Sequence, residues 1–204
     1  MFEISIIFTF IVASAAIVIV PGPTVSLIIA NSLRAGPAAG MANIFGTQVG
    51  LATMILVLAL GLDAVVAFMG EAFVYIKVAG AAYLIYLGVK LLRGDGSLAQ
   101  REGAQKSHVG YAVQGFFVIW SNPKALLFFG AFIPQFVDPA ANAAVQVLVY
   151  GALFMVVATI FDGAYALAAG RAGRLLTRAR LRVVERLSGG FLVMGGIGLA
   201  LTRR

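Results

Sequence analysis

The sequence contains no cysteine and only one histidine, His108. The first absence excludes disulfides, thiolate metal sites and cysteine nucleophiles. The second excludes a histidine metal cluster within one chain, so neither a metal nor a cofactor is expected. Charge is also scarce: 11% of the 204 residues are charged, where a soluble domain carries about 25%. Too few charges remain to coat a water-facing surface. No Lys or Arg precedes the first apolar run. Ala13-Ser14-Ala15 mimics a cleavage triplet, but the run continues past it to Val20. The segment therefore reads as a first membrane helix, not a removed signal.

What is present is apolar. Hydrophobic residues make up 61% of the chain and mean hydropathy is +1.00, against about 45–50% apolar residues in soluble domains. The chain reads as an all-α integral membrane protein. A span needs about 20 mainly apolar residues, and six stretches qualify: Ile4–Leu33, Gly40–Leu62, Glu71–Leu92, Tyr111–Phe136, Ala143–Ala169 and Val183–Leu201. The first would be about 45 Å long as one helix at 1.5 Å per residue, so it is expected to break or tilt.

The net charge of +7 raises nucleic acid as a partner, but the bases cluster between apolar runs. Arg34, then Lys90, Arg93, Arg101 and Lys106, then Arg171 to Arg186 fall on one side. The loops near Asp63–Glu71 and Asp138–Asn142 hold acids and no base. The positive-inside rule puts loops one, three and five in the cytoplasm and both termini outside, with Arg203 and Arg204 against it. The Arg171–Arg186 cluster reads as an interfacial segment on anionic lipid rather than a nucleic-acid site.

Gly94–Gly110 is polar and aperiodic and divides one membrane domain (1–204) into repeat one, about 1–93, and repeat two, about 111–204. Three helices per half is an odd number, so two such repeats would be inverted. Pro21-Gly22-Pro23-Thr24 lies a hundred residues before Ser121-Asn122-Pro123-Lys124, and Lys77-x-x-Gly80-Ala81 finds a counterpart in Arg186-x-x-Gly189-Gly190. Proline-interrupted segments at matching positions of inverted halves point to a secondary transporter's midplane site. The expected fold is six transmembrane helices in two inverted three-helix repeats, the first helix of each broken at proline.

Proline removes a backbone donor and disfavours helical geometry just before it. In a bilayer such breaks survive where they are buried in protein or line a wet cavity. The half-helix starting after Pro123 presents free N–H groups and a positive dipole end, and Pro21, Gly22 and Pro23 offer a second such start. Helix N-termini, Asn122 and the Lys124 ammonium together suit a carboxylate. The alternative is that the prolines are packing kinks, but Lys124 at mid-depth costs at least about 2.5–3.5 kcal/mol.

Asp162 is the one carboxylate well inside an apolar span. It is costly there when charged and unpaired, which suits either proton coupling or a structural ion pair with Lys124. Asn43 and Gln48 are candidates for the same cavity, with Gln135 less firmly placed. Asn31 and Gln114 read as interhelical glue, and Gly46-x-x-x-Gly50 as close packing.

With these residues the chain resembles the lysine exporter superfamily, in its LysE/RhtB amino-acid efflux branch. The resemblance rests on Pro21-Gly22-Pro23, Lys77-x-x-Gly80-Ala81-Ala82-Tyr83-Leu84, Asn122-Pro123-Lys124-Ala125, Pro134-Gln135-Phe136, Asp162 and Arg186-Leu187-Ser188-Gly189. It implies a bacterial inner-membrane protein that exports amino acids or close derivatives by proton exchange, with the proline motifs and Asp162 along the path. Leu51 departs from the family, where a polar or acidic residue often follows the second glycine of the second helix; that puts more weight on Asp162. The expected partners are a small amino-acid-like substrate, protons and membrane lipids, with a homo-oligomer left open. The alternatives are an exporter or channel for another solute, or a non-transporting scaffold. An enzyme is not expected, since no carboxylate dyad, thiol or histidine cluster is present.

Overall fold

The structure, a computed structural model, describes residues 3–19, 22–61, 73–93, 107–138, 140–172 and 178–201. Among these the chain is helical: α1 (Ile4–Ile19), α2 (Pro23–Ala35), α3 (Pro37–Leu60), α4 (Phe73–Leu92), α5 (His108–Trp120), α6 (Pro123–Leu127), α7 (Ala143–Ala172) and α8 (Arg178–Leu201). A π turn, Phe128–Phe132, and a 3-10 turn, Ile133–Phe136, extend α6.

Prolines set where these helices start. Pro23, Pro37 and Pro123 each stand at the start of a helix, where the missing N–H has no intrahelical partner to lose. Gly36 joins α2 to α3 at φ 86°, a left-handed conformation that glycine adopts without a Cβ clash. The α1–α2 pair bends by 55° and the α5–α6 pair by 54°.

Polar groups sit inside and apolar ones outside. Asn31, Asn43, Thr47, Asn122 and Asp162 are buried, whereas Ile4, Phe8, Phe45 and Leu60 are exposed. Lipid reverses the usual preference in this way, since an apolar outer face costs nothing there. By length and composition α3 and α7 can cross a membrane, and counting each bent pair as one span gives up to four. Helices α4 and α8, of 20 and 24 residues, stand where the other two expected spans lie.

Small residues let the helix backbones touch. A Cβ on Gly46 would meet Ala112 O, one on Gly50 the Ile119 side chain, and one on Gly115 Asn43 O, which fixes α3 against α5. Gly88 and Gly189 do the same between α4 and α8, a Cβ on either lying within 2.7–2.8 Å of the other's carbonyl.

Several boundaries differ from the sequence expectation: α2 runs to Ala35 rather than Leu33, α3 is Pro37–Leu60 rather than Gly40–Leu62, and α7 runs to Ala172 rather than Ala169. The polar linker was expected to run to Gly110, but α5 begins at His108 because Ser107 caps it, its Oγ accepting from Gly110 N at 3.2 Å. The last span was expected from Val183, yet α8 already starts at Arg178. Hydropathy marks where a helix meets lipid, not where its hydrogen-bond ladder begins. Pro21, residues 62–72 and most of the linker lie outside the described residues.

Candidate functional site

The site forms where α1, α2, α5 and α6 all end or begin. Helix α1 stops at Ile19, and the last carbonyls of a helix have no intrahelical partner. Ile17 O accepts from Lys124 Nζ at 3.0 Å, and Ile19 O accepts from Tyr165 Oη at 2.9 Å. The ammonium thus sits at the negative end of the α1 dipole, a favourable place for a cation. Across the break, Gly22 is extended (φ −135°, ψ −167°) and precedes Pro23. A Cβ on Gly22 would lie 3.5 Å from Lys124 Nζ, so the lysine passes directly over this residue.

The second break is tied to the first. Asn122 caps α6, its Oδ1 accepting from Lys124 N at 3.0 Å, and its Nδ2 donates to Thr24 Oγ1 at 2.8 Å. One buried amide therefore closes the start of α6 and fastens it to the start of α2. Such caps are worth about 1 kcal/mol, and Asn122 is only 2% exposed.

These groups enclose a cavity of about 40 Å³. The two breaks supply Gly22, Thr24, Asn122 and Lys124, α3 supplies Thr47 and Leu51, and α7 supplies Phe154, Ala158 and Asp162. Thr47 and Leu51 flank the middle of α3, and Phe154 to Asp162 flank the middle of α7. Asp162, 5% exposed, and Lys124 face this space and act on each other through their charges.

Two larger cavities lie beyond it, each behind a plug. Toward the far end of α2, Asn31 Nδ2 donates to Asn43 Oδ1 at 2.8 Å and to Gln114 Oε1 at 3.2 Å, while Asn43 Nδ2 donates to Tyr111 O at 2.7 Å. Past this amide cluster is a cavity of about 160 Å³ that includes Arg34 and Lys90 in its wall. In the other direction the plug is aromatic. Phe10 stacks among Phe128, Phe132, Phe136 and Tyr150 with ring centroids 4.8–6.3 Å apart. The π turn carries Phe128 and Phe132 into this cluster, consistent with the placement of such turns at functional sites. Beyond lies a cavity of about 360 Å³ bordered by Glu3 and Asp138.

Of the residues singled out in the sequence, Gly22, Asn122, Lys124 and Asp162 meet at the central cavity. Pro23 and Pro123 start the helices that border it, Pro23 packing toward Gly195 of α8. Asn43 lies in the amide plug. Gln48 faces α7 instead, donating to Met155 O at 3.4 Å, and Gln135 is exposed in the 3-10 turn. Pro21 is outside the described residues.

Sequence reasoning missed three contributors: Thr24 as the partner of Asn122, Thr47 on the cavity wall, and Tyr165 as a cap of α1. Tyr165 carried a faint signal, lying three residues after Asp162 and hence on the same helical face.

Residues 15–203 match the profile of the LysE family, described as LysE type translocator. The chain is 34% identical over 158 residues to the uncharacterized membrane protein YrhP of Bacillus subtilis, covering 72% of this chain and 75% of that one. It is 29% identical over 198 residues to the homoserine/homoserine lactone efflux protein of Salmonella typhimurium, covering 96% of each. An uncharacterized membrane protein of Vibrio cholerae is 28% identical over 203 residues, covering 98% of this chain and 99% of the other. No solved structure matches the chain.

Proposed function

We propose, for a chain that belongs to the LysE family of translocators, that it exports an amino acid or a close derivative across the inner membrane in exchange for protons. The observation that carries this reading is the meeting of Gly22, Thr24, Asn122, Lys124 and Asp162 at one cavity halfway along α3 and α7. An amino acid carries two opposite charges, and the cavity offers a partner for each. The Lys124 ammonium and the start of α2 suit a carboxylate; the Asp162 carboxylate suits an ammonium.

This division explains exchange. A proton on Asp162 and a substrate ammonium beside Asp162 are mutually exclusive, so release of one favours binding of the other. Coupling then requires only that the two bind the inward- and outward-facing forms with different affinity. The name of the Salmonella typhimurium relative includes both homoserine and its lactone, which share the amino group and differ at the carboxylate. That pairing supports the ammonium as the common handle.

The architecture we infer is six spans in two inverted halves, α1–α4 and α5–α8, with the loops after α2, α4 and α7 cytoplasmic. The near-equal bends of 55° and 54° and the matched contacts of Gly88 and Gly189 support the repeat. The central cavity of about 40 Å³ has room for a few waters, less than a substrate with a side chain. Both plugs must therefore yield, one at a time, for a solute to pass.

The test is a panel of labelled amino acids, homoserine included, in proteoliposomes of the purified protein with an imposed pH gradient. At least one member is expected to move against its own gradient when the pH gradient is present. Movement that is only downhill for every member, with no counterflow, would instead describe a channel.

A further inference from the structure

Behind the amide plug, α2, α4 and α5 surround a cavity of about 160 Å³, four times the central one. Its wall carries Asn31, Arg34, Lys90, Tyr111 and Gln114, and among the described residues no carboxylate lines it. Arg34 is half-buried and Lys90 exposed, so one cation sits within the wall and the other at its mouth. Leu27, Leu84, Leu87 and Leu91 pack beside it as a buried core cluster. Arg34 therefore borders a space between helices, while the Lys90 ammonium lies at its mouth, 5.9 Å from the centre of the exposed Tyr86 ring.

The cavity is in line with the central site. From Thr24 to Asn31 along α2 is about 10 Å at 1.5 Å per residue, and Asn43 lies one turn from Thr47 on α3. The floor of the cavity is the same Asn31–Gln114 hydrogen bond, at 3.2 Å, that closes the path from the centre. The amide N–H groups of Asn31 and Asn43 in that floor are already spent within the plug, so it is the two cations that match a carboxylate, which accepts several charge-assisted hydrogen bonds.

We infer that this Arg34–Lys90 cavity is a second binding site, which holds the substrate by its carboxylate before the amide plug opens to the centre. The inference rests on the export reading for its substrate class. The site positions no reacting atom. It raises the local concentration of an anionic group at the mouth of the path, as a cation-lined cleft does. It also gives a carboxylate-bearing solute an advantage over an esterified one before the central pair is reached.

The absence of cysteine makes the test clean, since one introduced thiol is the sole reactive sulfur. Leu87→Cys reports on the basic cavity, with Leu91→Cys as a second reporter should the first fail to fold. Thr24→Cys reports on the central cavity. Maleimide labelling of each is timed in vesicles of phosphatidylcholine alone and in vesicles with phosphatidylglycerol. The probes are L-homoserine and the proteinogenic L-amino acids other than cysteine in turn, each against its methyl ester or, for homoserine, its lactone.

The expected result is slower labelling of Leu87→Cys by the acids and not by the esters, in both vesicle types. Adding Lys90→Gln or Arg34→Gln should weaken that protection about tenfold, the loss of one charge-assisted hydrogen bond. Equal protection by acid and ester, protection unchanged by either Gln variant, or protection by no probe would overturn the inference. So would protection that needs only phosphatidylglycerol, which would make this a lipid headgroup site. Protection at Thr24→Cys without any at Leu87→Cys or Leu91→Cys leaves the central site standing and removes this one. Protection at neither cavity removes both.

Discussion

Asn122 does two jobs with one side chain, and they can be separated. Its oxygen caps α6 and its nitrogen reaches Thr24. Asn122→Ala is expected to lower stability by about 1–2 kcal/mol, a lost cap plus an unmatched hydroxyl. Asn122→Ser keeps a neutral capping acceptor and, with its shorter side chain, gives up the reach to Thr24. In thermal unfolding it should fall between the wild type and the alanine variant; a loss equal to alanine's would mean that the cap contributes nothing. Lys124 and Asp162 can be treated as a pair in the same way. Lys124→Met removes the cation whose charge acts on the buried Asp162 carboxylate and is expected to lower stability. The double variant with Asp162→Asn is expected to recover much of that stability without recovering transport. A double variant no more stable than Lys124→Met would show that the two charges do not support each other.

At the scale of the element, helix contacts depend on which glycines have room. Gly46 and Gly115 have none, a Cβ on either striking a backbone carbonyl of the facing helix. Gly163, inside α7 and next to Asp162, has nothing within 4 Å of its would-be Cβ. Gly46→Leu should push α3 from α5, break the Asn43–Tyr111 O bond and abolish folded protein in detergent by size-exclusion chromatography. Gly163→Ala should leave stability unchanged or raise it by up to about 1 kcal/mol of helix propensity, read as an unchanged or higher thermal midpoint. The same elements explain what could and could not be read from the sequence. Proline ends a ladder in any environment, so the breaks at Pro23 and Pro123 were legible. Asp162 was legible because a lone carboxylate is costly wherever it lies in an apolar run. The rotation of α3 was not. In lipid both its inner and outer faces are apolar, and Met41, Phe45 and Val49 are exposed while Ile44, Leu51 and Ile55 are buried. Five residues from Asn43 to Gln48 turn the helix by roughly 500°, or 140° net. One amide therefore joins the plug while the other faces Met155. Composition carries no mark of which face packs.

For the whole molecule, three cavities lie along one line of helices, separated by an amide plug and an aromatic plug of different chemistry. Amides exchange partners at small cost if water or a solute takes over their hydrogen bonds. The rings must move as packed bodies, each pair being worth about 0.5–1.5 kcal/mol beyond its area. The aromatic plug should therefore be the slower of the two to open. Phe10→Cys with Tyr150→Cys, joined by a short bifunctional thiol reagent with a reducible link, is expected to stop efflux, and reduction should restore it. Efflux that continues through a joined pair would mean that the path avoids the aromatic cluster.

The central claim is that Asp162 couples protons to a solute held between the two breaks. It is tested most directly by comparing the wild type with Asp162→Asn in proteoliposomes, with and without an imposed pH gradient. The measured quantity is movement of the labelled amino acid that the wild type transports best. The account predicts that the variant still exchanges labelled for unlabelled substrate across the membrane, yet no longer accumulates it in response to the gradient. A variant that still concentrates substrate in response to the pH gradient as the wild type does would contradict it.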